Sequence, residues 1–151
     1  MRILITGKNG QLGKSLHKLV SEKKYDNEFI FVGREELDLS NNNSIINYFD
    51  NHDKFDIIIN CAAYTAVDKA EEEVKLANQI NYLAVRQLAE IAKAQKAKLI
   101  HISTDYVFDG ESNKSYTEAD ETNPINVYGK TKLAGEKALQ AIMLTNAIII
   151  R

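Results

Sequence analysis

The chain has 151 residues, of which 44% are hydrophobic and 26% are charged, a composition typical of one globular domain with a hydrophobic core. Its net charge of −2 gives no basic field for nucleic acid, and no stretch approaches the roughly 18 apolar residues of a membrane span. The single cysteine, Cys61, excludes an intramolecular disulfide and fits a reducing environment. We therefore expect a cytoplasmic domain with neither nucleic-acid nor membrane partners.

Short apolar runs alternate with longer helix-like segments along the chain. Strands are predicted at residues 2–6, 28–33, 56–62, 98–104 and 146–151, with a short extended piece at 36–40. Helices are predicted at 10–23, 44–52, about 69–95 and from Pro124 onward, the second capped by Ser40 or by one of residues 41–43. Strands that are apolar throughout are typical of a sheet with helices on both faces. The expected fold is α/β, a doubly wound and mostly parallel sheet of the Rossmann type.

Three glycines separate the first predicted strand from the first helix, in the spacing G-x-x-G-x-x-G. Gly7 permits a tight turn, Gly10 lets the backbone approach a pyrophosphate, and Gly13 allows the helix to pack closely on the strand. The N-terminus of the helix adds free N–H groups and a partial positive charge. Glycines in an ordinary strand–turn–helix are the alternative, but the strand before and the helix after the loop favour a dinucleotide site.

The end of the second predicted strand indicates which dinucleotide is bound. An acidic residue there would hold the ribose 2′-hydroxyl of NAD, whereas this sequence has Arg34, whose planar cation suits a 2′-phosphate. A solvated surface arginine is the alternative, and Glu35 or Glu36 could instead face the ribose. Asp38 and the backbone of Leu39 lie where they could meet the adenine. We expect NADPH to be the cofactor, with NADH also accepted.

A tyrosine and a lysine four residues apart, Tyr128 and Lys132, are predicted to share one face of a helix. An ammonium group beside a phenol stabilises the phenolate and favours proton exchange near neutral pH. Such a pair alone is more often an ordinary surface feature. Here the preceding strand ends in Ser103 and Thr104, at the edge where open α/β sheets bind ligands. A hydroxyl there can bond a substrate carbonyl, although a strand-end threonine satisfied by the backbone is the alternative.

With these elements in order, the sequence resembles the extended branch of the short-chain dehydrogenase/reductase superfamily. Within it, the chain is similar to the dTDP-4-dehydrorhamnose reductase family. Four segments, spread along nearly all of the chain from residue 7 to residue 139, carry this similarity: "GKNGQLG", "NCAAYTAVDKAE", "STDYVFDG" and "NVYGKTKLAGEKAL". One departure is Tyr64, at a position that is often histidine in such enzymes.

The resemblance implies a role for each matching residue. Catalysis would use Tyr128 as proton donor, Lys132 to favour the phenolate and hold the nicotinamide ribose, and Thr104 to orient the sugar carbonyl. Cofactor contacts would come from Gly7, Gly10, Gln11, Leu12, Gly13, Arg34, Asp38, Leu39, Ala62, Ala63, Tyr64, Ser103, Tyr128 and Lys132. Asp105 and Tyr106 would border the sugar nucleotide together with Thr104. Asn81 would support a proton relay, with a mid-helix surface asparagine as the alternative.

The implied reaction is the NAD(P)H-dependent reduction of the C4 keto group of dTDP-6-deoxy-L-lyxo-4-hexulose to dTDP-L-rhamnose. Residues 1–151 would form the NAD(P)-binding domain, with a C-terminal substrate domain absent from this chain, which alone would bind a dinucleotide without reducing the sugar. A homodimer is possible, and no metal site is expected because the three histidines have no ligand spacing. The alternatives are another reductase or an epimerase on a different nucleotide sugar, and a non-catalytic regulatory homologue.

Overall fold

The computed structural model describes residues 1–151 and contains a five-stranded sheet in which all neighbouring strands are parallel. The strands are β1 Arg2–Thr6, β2 Glu28–Val32, β3 Ile57–Asn60, β4 Lys98–Ile102 and β5 Ala147–Ile150. Their order across the sheet is β2-β1-β3-β4-β5. The predicted doubly wound parallel sheet is therefore confirmed.

Helical segments connect all five strands. They are α1 Gln11–Glu22, α2 Asn42–Asp50, α3 Val67–Ala70, α4 Val74–Asn78, a π-helical turn Gln79–Leu83, α5 Ala84–Gln95, a 3₁₀ turn Asp105–Val107 and α6 Val127–Ile142. None of the helices combines the length and the apolar character needed to cross a membrane.

Helices lie on both faces of the sheet. On one face, Leu4, Ile58 and Leu99 stand in register on neighbouring strands and join a core cluster with residues of α2, α5 and α6. Phe31 is one residue out of phase with that row, because its strand pairs Ile30 with Leu4, and its ring meets His17 of α1 at a centroid distance of 4.7 Å. Since successive side chains of a strand alternate faces, α1 covers the opposite face.

Two boundaries differ from the expectation. The segment 36–40 forms no strand; it is a turn closed by the bond from Asn41 N to Asp38 O, and its leucines are buried in the main core. The sixth helix begins at Val127 rather than at Pro124, because the side chain of Asn126 accepts a hydrogen bond from Gly129 N at 2.7 Å and caps it. By contrast, the predicted cap of α2 is found: Asn41 accepts from two amides of the first turn.

The predicted long helix at 69–95 is broken into pieces. A turn at 71–73 separates α3 from α4, and the π-helical turn Gln79–Leu83 joins α4 to α5. Within this turn Asn81 is buried, and a Cβ at Gly135 of α6 would lie only 2.2 Å from Asn81 O. The π-helical turn therefore packs backbone to backbone against α6. Such turns are frequent at functional sites.

Candidate active site

The carboxyl ends of β1, β3 and β4 meet at one edge of the sheet, where the strand order changes direction. The chain turns from β1 to β2 on one side and continues through β3, β4 and β5 on the other. Open α/β sheets bind ligands in the crevice outside such a switch point. The loops that follow β1, β3 and β4 contain the glycines, residues 61–64 and residues 103–106, so all three predicted groups lie at this edge.

The glycine loop is closely packed at its first and third glycines. Gly7 has φ of +73°, and a Cβ there would lie 2.8 Å from Ala62 N. A Cβ at Gly13 would lie 2.2 Å from Gly7 O, whereas a Cβ at Gly10 would meet the same oxygen only at 3.3 Å. Gly7 and Gly13 are thus required by the fold. The fold does not require a glycine at position 10. The backbone surface of Gly10 is therefore available to a ligand that needs close contact with the backbone.

The N-terminus of α1 retains its hydrogen-bonding capacity. Its N-cap is Gly10, no side chain caps it, and the first backbone bond of the helix runs from Lys14 N to Gly10 O at 3.0 Å. The amides of Gln11, Leu12 and Gly13 precede that bond and so lack helical acceptors. Free amides, the helix dipole and a glycine surface together fit the pyrophosphate of a dinucleotide.

The end of β2 carries a group of charged side chains. Arg34 is exposed, and its Nε lies 3.3 Å from Asp38 Oδ2. Burial opposes ionisation of Asp38, but bonds from Ser40 and then the pair with Arg34 outweigh it and lower the pKa of that carboxyl. Glu36 is turned back toward the chain: it pairs with Lys8 and accepts from Gly33 N at 2.8 Å. Arg34 and Lys8 are therefore two cations near this corner, each paired with an acidic side chain.

The loop after β3 is fixed by one buried side chain. Asn81 is 1% exposed; its Oδ1 accepts from Tyr64 N at 2.9 Å, and its Nδ2 donates to Tyr64 O at 3.1 Å. The same Nδ2 donates to Thr131 Oγ1 at 3.2 Å, and that hydroxyl donates to Tyr128 O at 2.9 Å. Asn81 thus ties the loop containing Ala62, Ala63 and Tyr64 to the helix that carries Tyr128. The reading of Asn81 as a surface residue is wrong.

The side chain of Tyr64 is held outside this network. Its hydroxyl donates to Glu73 Oε2 at 2.6 Å, and this bond raises the pKa of Tyr64 to about 12. The departure at this position therefore removes a histidine but leaves the backbone contacts of the loop in place.

Tyr128 and Lys132 both lie on α6 and are both buried, with 8% and 1% of their surfaces exposed. The ring of Tyr128 meets Tyr106 edge-on at 5.6 Å. Lys132 Nζ donates to Ile102 O at 2.6 Å and lies 3.5 Å from His101 Nε2. Burial lowers the pKa of Lys132 to about 8, with Glu136 acting in the opposite direction. A pair with both members buried is not an ordinary surface feature.

The residues after β4 are engaged in local hydrogen bonds. Thr104 Oγ1 accepts from Tyr106 N at 3.2 Å and donates to Asp105 Oδ1 at 3.1 Å, which caps the 3₁₀ turn. The hydroxyl of Ser103 donates to buried Glu136, which also forms an ion pair with Arg151 at 2.7 Å. Ser103 therefore supports α6 in this structure, and a contact of Thr104 with a substrate would compete with the bond to Asp105.

The comparisons with known proteins cover the whole chain. The family model of the RmlD substrate binding domain matches residues 1–151. The chain belongs to this family. It is 44% identical to dTDP-4-dehydrorhamnose reductase of Aggregatibacter actinomycetemcomitans over 99% of its own length and 50% of the relative's.

Solved structures of RmlD family relatives agree with the fold. A dTDP-4-dehydrorhamnose reductase from Clostridium acetobutylicum superposes with a TM-score of 0.91 at 44% identity, over 99% of this chain and 52% of that one. The Bacillus anthracis enzyme in complex with NADP gives 0.88 at 39% identity, over 98% and 51%. The chain spans about half the length of the relatives it matches. The predicted resemblance to these reductases is confirmed.

In addition to the site residues predicted from the sequence, the structure contains a row of buried polar side chains. Thr6, Asn60 and His101 stand in register on β1, β3 and β4, and all three are at most 2% exposed. A signal for them was present in the sequence, since each is a polar residue at or next to the end of an apolar strand. His101, at the end of this row, lies 3.5 Å from Lys132 Nζ.

Replacing Lys132 by methionine is expected to stabilise the fold while removing the ammonium group from the candidate active site. Lowering the pKa from 10.5 to about 8 costs the folded state about 3 kcal/mol at neutral pH. Loss of the bond to Ile102 O and of the 3.5 Å contact with His101 Nε2 together offsets about 1.5 kcal/mol of this. Chemical denaturation at pH 7 should show a gain of about 1–2 kcal/mol for Lys132→Met, and none beyond about 0.5 kcal/mol for exposed Lys130→Met.

Lys132 should also make the stability of the fold depend on pH. Between pH 8 and 10.5 the unfolded chain holds more protons at this lysine than the folded chain, so wild-type stability should rise with pH there. That rise should be absent in Lys132→Met. A methionine variant less stable than wild type at pH 7 would contradict the account of Lys132 as a buried cation.

Proposed function

We propose that the chain is the NADPH-binding half of a dTDP-4-dehydrorhamnose reductase of the extended short-chain dehydrogenase/reductase type. The reaction is reduction of the C4 keto group of dTDP-6-deoxy-L-lyxo-4-hexulose to dTDP-L-rhamnose. One observation supports this above all: Tyr128 and Lys132 are buried together on α6, at the same sheet edge as the glycine loop. This arrangement occurs in a chain that matches named reductases over its full length.

Residues along the switch-point edge would hold the dinucleotide. Backbone of Gly10, Gln11 and Leu12 binds the pyrophosphate, with Gly7 and Gly13 shaping the loop. At the other end of the crevice, residues 62–64 line the nicotinamide side. Ser103 lies beside them and is held in position by its bond to Glu136 of α6. The NADP complex of the Bacillus anthracis relative supports NADPH as the cofactor. NADH is expected to bind more weakly.

Each catalytic side chain has a separate task. When bound, the reduced nicotinamide supplies the hydride that adds to the carbonyl carbon of the sugar. The hydroxyl of Tyr128 donates its proton to the carbonyl oxygen, which becomes the new hydroxyl. Lys132 favours the resulting phenolate electrostatically and bonds the nicotinamide ribose.

The sugar nucleotide borders the turn after β4. Thr104 orients the carbonyl oxygen once its hydroxyl turns from Asp105, and Asp105 and Tyr106 border the sugar. Tyr106 is placed for this by tight packing, because a Cβ at Gly129 of α6 would lie 2.2 Å from Tyr106 O. The remaining substrate contacts come from a second domain of the full-length protein.

At the adenosine end, Arg34 binds the 2′-phosphate, and Asp38 and Leu39 face the adenine. Arg34→Ala is expected to weaken NADPH binding by about tenfold, since one hydrogen bond to a charged group is worth about 1.5 kcal/mol. NADH binding should change little, because NADH lacks the phosphate. Fluorescence titration of both cofactors measures this.

Arg86→Ala is the matched control for Arg34→Ala. Arg86 is also exposed and also pairs with an acid four residues later, Glu90. Its removal should leave both affinities unchanged. Equal NADPH affinity in wild type and Arg34→Ala would remove Arg34 from the 2′-phosphate site, and an equal loss for both cofactors would make its role structural.

Two further proposals concern the setting of the protein. We place it in the cytoplasm, where its one thiol, Cys61, stays reduced; burial raises the pKa of this thiol to about 11 and makes it a poor nucleophile. We also propose a homodimer of the full-length protein. Sedimentation of the full-length protein tests the dimer.

A further inference from the structure

A chain of buried hydrogen bonds crosses the sheet and ends at Lys132. Thr6 Oγ1 donates to Asn60 Oδ1 at 2.6 Å, and Asn60 Nδ2 lies 3.0 Å from His101 Nδ1. On the far side of the ring, Nε2 lies 3.5 Å from Lys132 Nζ. Four elements of the fold, β1, β3, β4 and α6, therefore contribute one side chain each. No role of Tyr128, Thr104 or the glycine loop accounts for this row.

The direction of the bonds depends on whether Lys132 carries its extra proton. With the Asn60 amide group donating to Nδ1, a neutral ring has its proton on Nε2, and this N–H can bond only to the lone pair of an uncharged amine. An ammonium group has only donors. For a charged Lys132, the ring must accept at Nε2, carry its proton on Nδ1 and donate it to the oxygen of Asn60. A half-turn of the Asn60 amide supplies that oxygen, and its NH₂ then donates to Thr6 Oγ1, which also accepts from Ala62 N at 3.3 Å. The hydroxyl proton of Thr6 then turns away from Asn60.

We propose that His101 is a positioning residue for Lys132, and that the ring and the Asn60 amide reverse their hydrogen bonds each time Lys132 gains or loses a proton. In both states the lysine nitrogen keeps two protein partners, Ile102 O and His101 Nε2. The nitrogen is thereby held in one place while its charge changes. This inference rests on the proposed function for the importance of Lys132, but the hydrogen-bond reversal does not.

The surroundings of the ring favour this role. His101 is fully buried, and burial, reinforced by the charge of Lys132, lowers the pKa of the ring to about 3. The ring therefore stays neutral and changes only its tautomer. The charge that acts on Lys132 is that of Glu136, on the same helix, which raises the pKa of the lysine and is itself paired with Arg151. Tyr128 lies one turn earlier on this helix. Lys132 itself, with its pKa near 8, is the group that changes charge in the ordinary pH range.

The test is ¹⁵N NMR of the ring nitrogens of His101 in the 151-residue chain, recorded across pH together with the ¹⁵N shift of Lys132 Nζ. We expect the Nδ1-protonated tautomer below pH 7 and the Nε2-protonated tautomer above pH 9, with one shared midpoint near 8. A single tautomer at all pH values, or two midpoints that differ by more than about a unit, would overturn the reversal. Because no substrate is present, this result is independent of whether the chain acts on a keto sugar.

Two variants separate positioning from simple packing. In His101→Gln the longer amide still reaches Lys132 and can turn to offer either oxygen or nitrogen, so the midpoint of Lys132 should stay within about half a unit of wild type. In His101→Asn the shorter side chain keeps only the link to Asn60, and the midpoint should fall by about one unit because the ammonium loses an acceptor. Equal midpoints in the two variants would contradict the proposal. If His101→Asn unfolds, its amide signals lose their dispersion, and Asn60→Leu takes its place. This variant breaks the link between Asn60 and the ring but keeps the ring. The tautomer of His101 should then be insensitive to pH.

Discussion

Replacing Tyr128 by phenylalanine is expected to lower turnover of the keto sugar by about 10²–10⁴-fold in the protein extended to the full length of its relatives. The substitution removes one hydroxyl and keeps the ring, which packs edge-on against Tyr106 and against the small cluster with Ala70 and Ala77. The fold and the glycine loop are therefore retained. NADPH affinity should stay within about threefold of wild type, so the loss should appear in kcat.

Tyr25→Phe is the control for the removal of a hydroxyl. Tyr25 is 42% exposed and lies after α1, and its ring contacts only Phe29 among the aromatic residues. Its loss should change neither turnover nor affinity. Near-normal turnover in Tyr128→Phe would show that Tyr128 is not the proton donor, and a loss of NADPH binding would show that its hydroxyl acts in cofactor binding.

Replacing Gly13 by alanine is expected to lower both the stability of the fold and the affinity for the dinucleotide. The new Cβ would stand 2.2 Å from Gly7 O and 2.9 Å from Lys8 Cα, both of them backbone atoms that cannot rotate away. Forcing the loop and α1 apart should cost about 1–3 kcal/mol of stability, as other overpacked sites do. Because the same shift moves the first-turn amides, NADPH affinity should fall by at least about 100-fold, the equivalent of about 2.7 kcal/mol.

Gly10→Ala separates binding from folding in the same loop. Its Cβ would lie 3.3 Å from the nearest atom, and Gly10 has φ of −75°, which alanine adopts readily. Stability should fall by only about 0.5–1 kcal/mol, since alanine is a poorer N-cap. NADPH binding should still weaken strongly, because the methyl group covers the surface that approaches the pyrophosphate. If Gly10→Ala binds NADPH as wild type does, the pyrophosphate lies elsewhere.

Much of the fold follows from local pattern. The continuous apolar strands, the glycine spacing and the asparagine cap of α2 are features that neighbouring residues determine, and the structure has each of them. Tyr128 and Lys132 are about one helix turn apart, so their shared face could also be predicted. Their burial could not, because that depends on how α6 packs against β4.

The features that were not predicted depend on contacts between distant segments. The π-helical turn around Asn81 is stabilised by the loop at Tyr64, seventeen residues earlier, and by Thr131, fifty residues later. Residues 36–40 have the apolar alternation of a strand, but their leucines enter the core from a turn. The row from Thr6 to His101 exists only because three strands stand in register. Local periodicity contains no information about such pairings.

The central claim is tested most directly by one assay with the full-length protein. NADPH consumption is measured with dTDP-6-deoxy-L-lyxo-4-hexulose as substrate, and the product is identified by NMR. The account predicts that each NADPH oxidised yields one dTDP-L-rhamnose, with no bound dinucleotide needed from purification. A protein that is purified with tightly held NAD and returns an epimerised sugar without consuming NADPH would contradict it.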